Sequence, residues 1–80
     1  PEAVKAHHAS DYKTELQELV QRKPDRVLKY HEAGESGPDH DKVFLSEVSL
    51  DGVIIGCGSG RTKKEAEQAA ACKALERLNK

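Results

Sequence analysis

The chain of 80 residues carries thirteen Lys and Arg against fourteen Asp and Glu, a formal net charge of −1, and 36% of it is hydrophobic. That length holds one small domain with a thin core, near the lower size at which burial alone supports a fold. The near-neutral balance excludes a polyanion binder that works by bulk charge, so any nucleic-acid contact must come from a local patch.

Residues 1–9, PEAVKAHHA, show no apolar period and are expected to be a linker or a disordered N-terminal segment, which leaves residues 10–80 as the domain. His7 and His8 are adjacent, so their side chains point different ways, and they are left unassigned. Cys57 and Cys72 are far apart and not in a metal-ligand spacing, which fits free thiols in a reducing compartment rather than a disulfide. No apolar signal core and no run long enough to cross a bilayer is present, so the expected address is the cytoplasm.

A helical pattern begins at Ser10, with Ser10 or Asp11 available as the cap. Tyr12, Leu16, Leu19 and Val20 fall on one face, the predicted core side. Thr14, Gln17, Glu18 and Gln21 fall on the other, a stripe of hydrogen-bonding groups that is either a solvated face or a contact for a polar ligand. Pro24 lacks the backbone N–H that would continue the helix and disfavours helix in the residue before it.

Strand signals follow. Val27–His31 is β-branched and aromatic, with Leu28 and Tyr30 on one face and Lys29 and His31 on the other. Residues 34–39, GESGPD, are dense in turn formers and predict a loop. A second strand is predicted over 42–50, with Phe44, Val48 and Leu50 on one face, and Asp51-Gly52 predicts a tight hairpin into Val53-Ile54-Ile55. Gly56, Gly58 and Gly60 alternate along the third strand and leave one of its faces bare, an invitation to close packing. Their spacing is not the dinucleotide fingerprint, and no βαβ unit surrounds them.

Thr62 with Glu65 three residues later forms a capping box and starts the last helix, predicted over 62–78. Ala66, Ala70, Ala74 and Leu78 make one ridge of that helix, with Ala71 and Leu75 beside it. Lys63 and Lys64 in the first turn oppose the helix dipole, which favours acidic groups there. Stability alone does not select them; with Arg61 and the free N–H groups of the first turn they suit a phosphate, the alternative being two solvated lysines.

The order helix, three strands, helix carries DYKTELQ at 11–17, Tyr30, GPDH at 37–40, Phe44, GxGxG at 56–60 and TKKEAEQAAA at 62–71. This set resembles the double-stranded RNA-binding domain family, and most closely the copy in the C-terminal part of bacterial ribonuclease III. The resemblance covers residues 11–79. It implies an α+β fold, α-β-β-β-α, with a three-stranded antiparallel sheet and both helices on one face.

Double-stranded RNA is read by shape, across roughly 16 base pairs, through two minor grooves lined with 2′-hydroxyls and the phosphates of the major groove between them. The resemblance implies three RNA-binding patches: the stripe Thr14, Gln17, Glu18 and Gln21; the loop Gly37, Pro38, Asp39 and His40; and the helix start Arg61, Thr62, Lys63 and Lys64. His40 either donates to the RNA or closes its own loop. Many relatives carry a further lysine where this chain has Glu67, so one phosphate contact of the family is absent.

The implied function is a module without catalysis of its own that presents double-stranded RNA, such as ribosomal RNA precursors, to an attached nuclease. No cofactor is expected in this domain and Mg²⁺ only in the nuclease portion of the parent enzyme. The isolated domain is expected to be monomeric, with homodimerisation left to the parent's nuclease part, and no membrane contact is expected. The rival reading is a degenerate copy that serves as a protein–protein adaptor.

Overall fold

A computed structural model describes residues 11–78, so the expected linker, the Ser10 cap and the last two residues lie outside the described residues. The elements run α1 (Tyr12–Gln21), β1 (Leu28–Ser36), a 3₁₀ turn (Asp39–Asp41), β2 (Val43–Leu50), β3 (Val53–Gly60) and α2 (Lys63–Leu78). The strands pair antiparallel in the order β1-β2-β3. This is the expected α-β-β-β-α fold.

The apolar face of α1 decides where that helix sits. Leu16 is wholly buried and Val20 nearly so, and both join Val48, Leu50 and Ile55 of the sheet and Ala70, Ala71 and Ala74 of α2 in one core, with Tyr12, Leu28, Tyr30 and Leu75 packed at its edge. Burial of a side chain such as Leu16 or Val48 stabilises by ~1.5–3 kcal/mol, so these few residues carry much of the fold. Leu78, the expected end of the alanine ridge, is instead 37% exposed, on a groove it shares with Leu19, Val20 and Leu50.

The bare face of β3 receives that ridge. A Cβ on Gly56 would lie 2.8 Å from the Ala74 nitrogen, one on Gly58 2.5 Å from the Ala69 carbonyl carbon, and one on Gly60 2.5 Å from the Glu65 Cβ. Helix backbone therefore sits directly on strand backbone, and only glycine opposite alanine permits the approach. The expectation of close packing from the alternating glycines holds.

The hairpin at Asp51-Gly52 also forms as expected, with φ of 54° and 86° at its two central residues, the left-handed pair that a two-residue hairpin turn requires. Asp51 does more than turn the chain. Its carboxylate accepts the Val27 N–H at 2.9 Å and the Arg26 Nε–H at 2.5 Å, and its own N–H donates to the Val27 carbonyl at 2.8 Å. The hairpin is thereby tied to the chain entering β1, and these donors, Val27 first, hold the Asp51 carboxyl below its usual range.

Two strand details differ from the sequence reading. β1 does not stop at His31 but continues to Ser36, with a register shift between Glu32 and Gly34, and Gly34, Glu35 and Ser36 pair with Leu45, Phe44 and Val43. The turn-forming residues 34–36 are thus a bulged strand end, which glycine and serine do not announce. In β2 a second shift falls between Val48 and Ser49, so Ser49 and Leu50 are both buried and the expected alternation breaks at its last residues.

Candidate nucleic-acid interface

The start of α2 is built by its own side chains. The Glu65 N–H donates to Thr62 Oγ1 at 3.0 Å, and Glu65 Oε1 accepts the Arg61 N–H at 3.0 Å. The carboxylate thus reaches one residue further back than in the usual capping box, to Arg61 rather than Thr62. Both orphan donors are satisfied within the chain, so Lys63 and Lys64 take no part in capping, and both are exposed.

The cations of this patch differ in their surroundings. Lys63 Nζ lies 2.8 Å from Glu32 Oε2 on β1, and the hydrogen bond and charge of Glu32 raise the lysine above its usual 10.5. Arg61 Nη1 lies 3.0 Å from Asp41 Oδ1 in the 3₁₀ turn. Lys64 forms no ion pair among the described residues and borders a groove lined by Tyr12, Thr62, Gln68, Ala69 and Cys72. Cys72, a free thiol, is half-buried at the edge of that groove.

The loop after β1 is shaped by Gly37, at φ +94°, where a Cβ would lie 2.5 Å from the Asp41 carbonyl oxygen. Pro38 leads in with extended backbone, and its carbonyl accepts the Asp41 N–H at 2.9 Å. Lys42 Nζ closes the loop from below, 3.0 Å from Glu35 Oε1 and 3.7 Å from Asp39 Oδ1. These contacts close the loop without His40, whose ring is exposed and makes no hydrogen bond among the described residues.

On α1 the stripe Thr14, Gln17, Glu18 and Gln21 is exposed along its whole length. Thr14 Oγ1 donates to Asp11 Oδ1 at 2.8 Å. The helix is pinned to α2 at its first turn, where Gln68 Oε1 accepts the N–H groups of Tyr12 and Lys13 at 2.7 and 3.3 Å. Beside it Lys13 Nζ lies 2.5 Å from Glu67 Oε1 and 4.8 Å from the centre of the Tyr30 ring, whose hydroxyl is pushed up to about 12 by burial and then by Glu67.

Glu67 thereby anchors α1 through Lys13. The structure joins the helix-start patch to the loop through Arg61 and Asp41, and to α1 through Glu67 and Gln68. Sequence reasoning missed Glu32, Asp41 and Lys13, because each meets its partner across the fold and no periodicity links them. Among the described residues no cluster of His, Cys, Asp and Glu could hold a metal ion, and no helix is long and apolar enough to cross a membrane.

Comparison with known proteins bears on the fold and the family. Residues 12–78 match the family model of the double-stranded RNA binding motif. The chain is 53% identical over 68 residues to a protein named Ribonuclease 3 from Listeria monocytogenes, a match that covers 85% of this chain and 30% of that protein. It is 50% identical over 72 residues to Ribonuclease 3 from Oceanobacillus iheyensis, covering 90% and 32%. The chain thus spans about a third of the length of these curated relatives. Among solved structures, Dicer from Pichia stipitis superposes with a TM-score of 0.68 at 25% identity over 84% of this chain and 32% of that one. The second such domain of DRB4 gives 0.62 at 34% identity over 85% and 94%. With helix order, sheet topology and the match over residues 12–78 in agreement, the chain belongs to the double-stranded RNA-binding motif family.

Proposed function

We propose that this domain binds double-stranded RNA as the substrate-holding part of a ribonuclease III. The observation that carries the reading is the match over residues 12–78 together with an exposed Lys63-Lys64 pair on a helix start that caps itself without them. The lysines and Arg61 hold phosphates of the major groove; phosphate contacts supply most of the sequence-independent affinity and make it salt-dependent. Thr14, Gln17, Glu18 and Gln21 address 2′-hydroxyls in one minor groove, where the Glu18 carboxylate accepts from a hydroxyl and repels phosphate. Pro38, Asp39 and His40 enter the next minor groove, His40 as donor.

The domain holds no catalytic group in this reading. Hydrolysis, Mg²⁺ and homodimerisation belong to the nuclease portion of the parent, with ribosomal RNA precursors among its substrates and the cytoplasm as its place. The donor set of the described residues does not suit Mg²⁺, so no step through the metal is assigned to this chain. Modest affinity in the isolated domain is sufficient there, because linkage to a nuclease raises the effective concentration of the second contact.

The test is a gel-shift titration of the chain with a 20-base-pair RNA duplex and the DNA duplex of the same sequence. RNA binding with DNA binding at least ~10-fold weaker supports the reading, since only RNA offers 2′-hydroxyls and A-form grooves. Failure to bind RNA at low salt would contradict it and leave the adaptor reading in place.

A further inference from the structure

Two of the three cations in the helix-start patch already hold an oxyanion in the free domain. Lys63 Nζ sits 2.8 Å from the Glu32 carboxylate and Arg61 Nη1 sits 3.0 Å from that of Asp41, both at ordinary charge-assisted hydrogen-bond distance. The pairs are open to solvent: the Lys63 and Glu32 side chains are 62% and 65% exposed, those of Arg61 and Asp41 69% and 55%. Exposed pairs of this kind add little to stability. Glu32 and Asp41 carry no other hydrogen bond through their carboxylates among the described residues, so neither builds the loop or the strand it stands on.

The fold brings these carboxylates to the cations from two separate elements. Glu32 follows Leu28 and Tyr30 on the helix-facing side of β1, and the register shift begins directly after it. Asp41 ends the 3₁₀ turn whose backbone Gly37 and Pro38 fix. Around Lys63 and Arg61 the neighbouring elements present four carboxylates, Glu32, Glu35, Asp39 and Asp41, of which Lys42 engages Glu35 and Asp39.

We infer that Glu32 and Asp41 are built-in phosphate stand-ins, which hold Lys63 and Arg61 in place in the free domain and must be displaced when an RNA phosphate arrives. The inference rests on the RNA-binding reading and adds a regulation of that site: the domain limits its own affinity by making phosphates compete with carboxylates. Lys64, with no such partner, takes the first phosphate. Lys63 and Arg61 exchange carboxylate for phosphate only where the duplex presents its backbone at the right spacing, so the exchange also discriminates against loosely placed anions.

The experiment titrates the 80-residue chain with a 20-base-pair RNA duplex at two salt concentrations, comparing wild type with Glu32→Gln, Asp41→Asn, Lys63→Ala and the pair Glu32→Gln/Lys63→Ala. Glu32→Gln keeps the shape and removes the charge. It is expected to tighten binding about two- to five-fold, the size expected for release from an exposed ion pair. The dependence of log K on log salt should stay near the wild-type slope, because Lys63 meets the same phosphate in both proteins. In the Lys63→Ala background the gain should fall to less than half, and Asp41→Asn should give a parallel gain through Arg61.

An equal gain with and without Lys63 overturns the inference, since Glu32 then acts as general charge. Unchanged or weaker binding of Glu32→Gln overturns it as well, provided thermal melting shows the variant folded as wild type. If the wild-type chain itself fails to bind the duplex at low salt, the RNA-binding reading fails instead, and the two failures are told apart by that first titration.

Discussion

The two ends of the α2 contact with the sheet follow opposite rules. Along β3 the helix lies on glycine, with Ala66, Ala70, Ala71 and Ala74 wholly buried and strand backbone within contact of helix backbone. At its start the same helix carries exposed cations held by single ion pairs. The seam is fixed by excluded volume, where a single added carbon has nowhere to go. The rim is held by contacts of small energy that another anion can replace. A small domain with a thin core can keep a changeable charged edge because its position is set by the seam and not by the edge's own contacts.

The largest effect should come from breaking the seam. Gly58→Val places its branched side chain against the Ala69 backbone, where even a Cβ is 2.5 Å away. Overpacking of this kind costs ~1–3 kcal/mol or more, so the variant should unfold or melt many degrees lower by circular dichroism. A melting curve equal to wild type would contradict the seam geometry.

At the rim the reverse is expected. Lys63→Ala/Lys64→Ala should leave the melting temperature within a few degrees of wild type, since neither lysine takes part in capping. Affinity for an RNA duplex should fall at least ~10-fold, and the log K against log salt slope should drop by about 1.5 as two phosphate contacts are lost. A large loss of stability with no change in slope would make the lysines structural.

Glu67 lies between the two regimes, since it serves both the packing of α1 and the charge of the rim. Glu67→Lys breaks the 2.5 Å pair with Lys13 and adds a cation to the rim. Stability should fall by no more than ~1 kcal/mol, as expected of a partly exposed pair, while RNA affinity rises about three-fold through the added phosphate contact. Calorimetry and titration on the same sample separate the two; weaker RNA binding would show that anchoring α1 matters more than the added charge.

The smallest effect concerns acid. Asp51 is held below its usual 3.8 by the Val27 N–H and then by Arg26. A depressed carboxyl stabilises the fold above its unfolded value, and that contribution disappears as pH falls through the folded value. Urea midpoints between pH ~6 and ~2 should therefore fall less steeply in Asp51→Asn than in wild type. Asparagine tolerates the left-handed conformation at this position, so the hairpin itself should survive. Parallel acid limbs would remove Asp51 from the account.

What was legible in the sequence was whatever is local. The core face of α1, apart from Leu19, the Asp51-Gly52 hairpin, the bare face of β3 and the Thr62–Glu65 cap depend on spacing within one element or one turn, and these form in the structure. The continuation of β1 through Gly34, Glu35 and Ser36 was not legible, because pairing with β2 overrides residues that favour turns. The carboxylates facing Lys63 and Arg61, and the Lys13 facing Glu67, were hidden for the same reason. Their partners come from elements that only the fold brings together.

The most direct test of the three-patch account is to map the contact surface by NMR, following backbone amides of the ¹⁵N-labelled chain as a 20-base-pair RNA duplex is added. The account predicts that perturbed signals fall in three separate groups, around Thr14 to Gln21, around Pro38 to His40, and around Arg61 to Lys64. Perturbations confined to the outer sheet face, around Leu45, Ile54 and Cys57, or confined to one of the three groups, would contradict it.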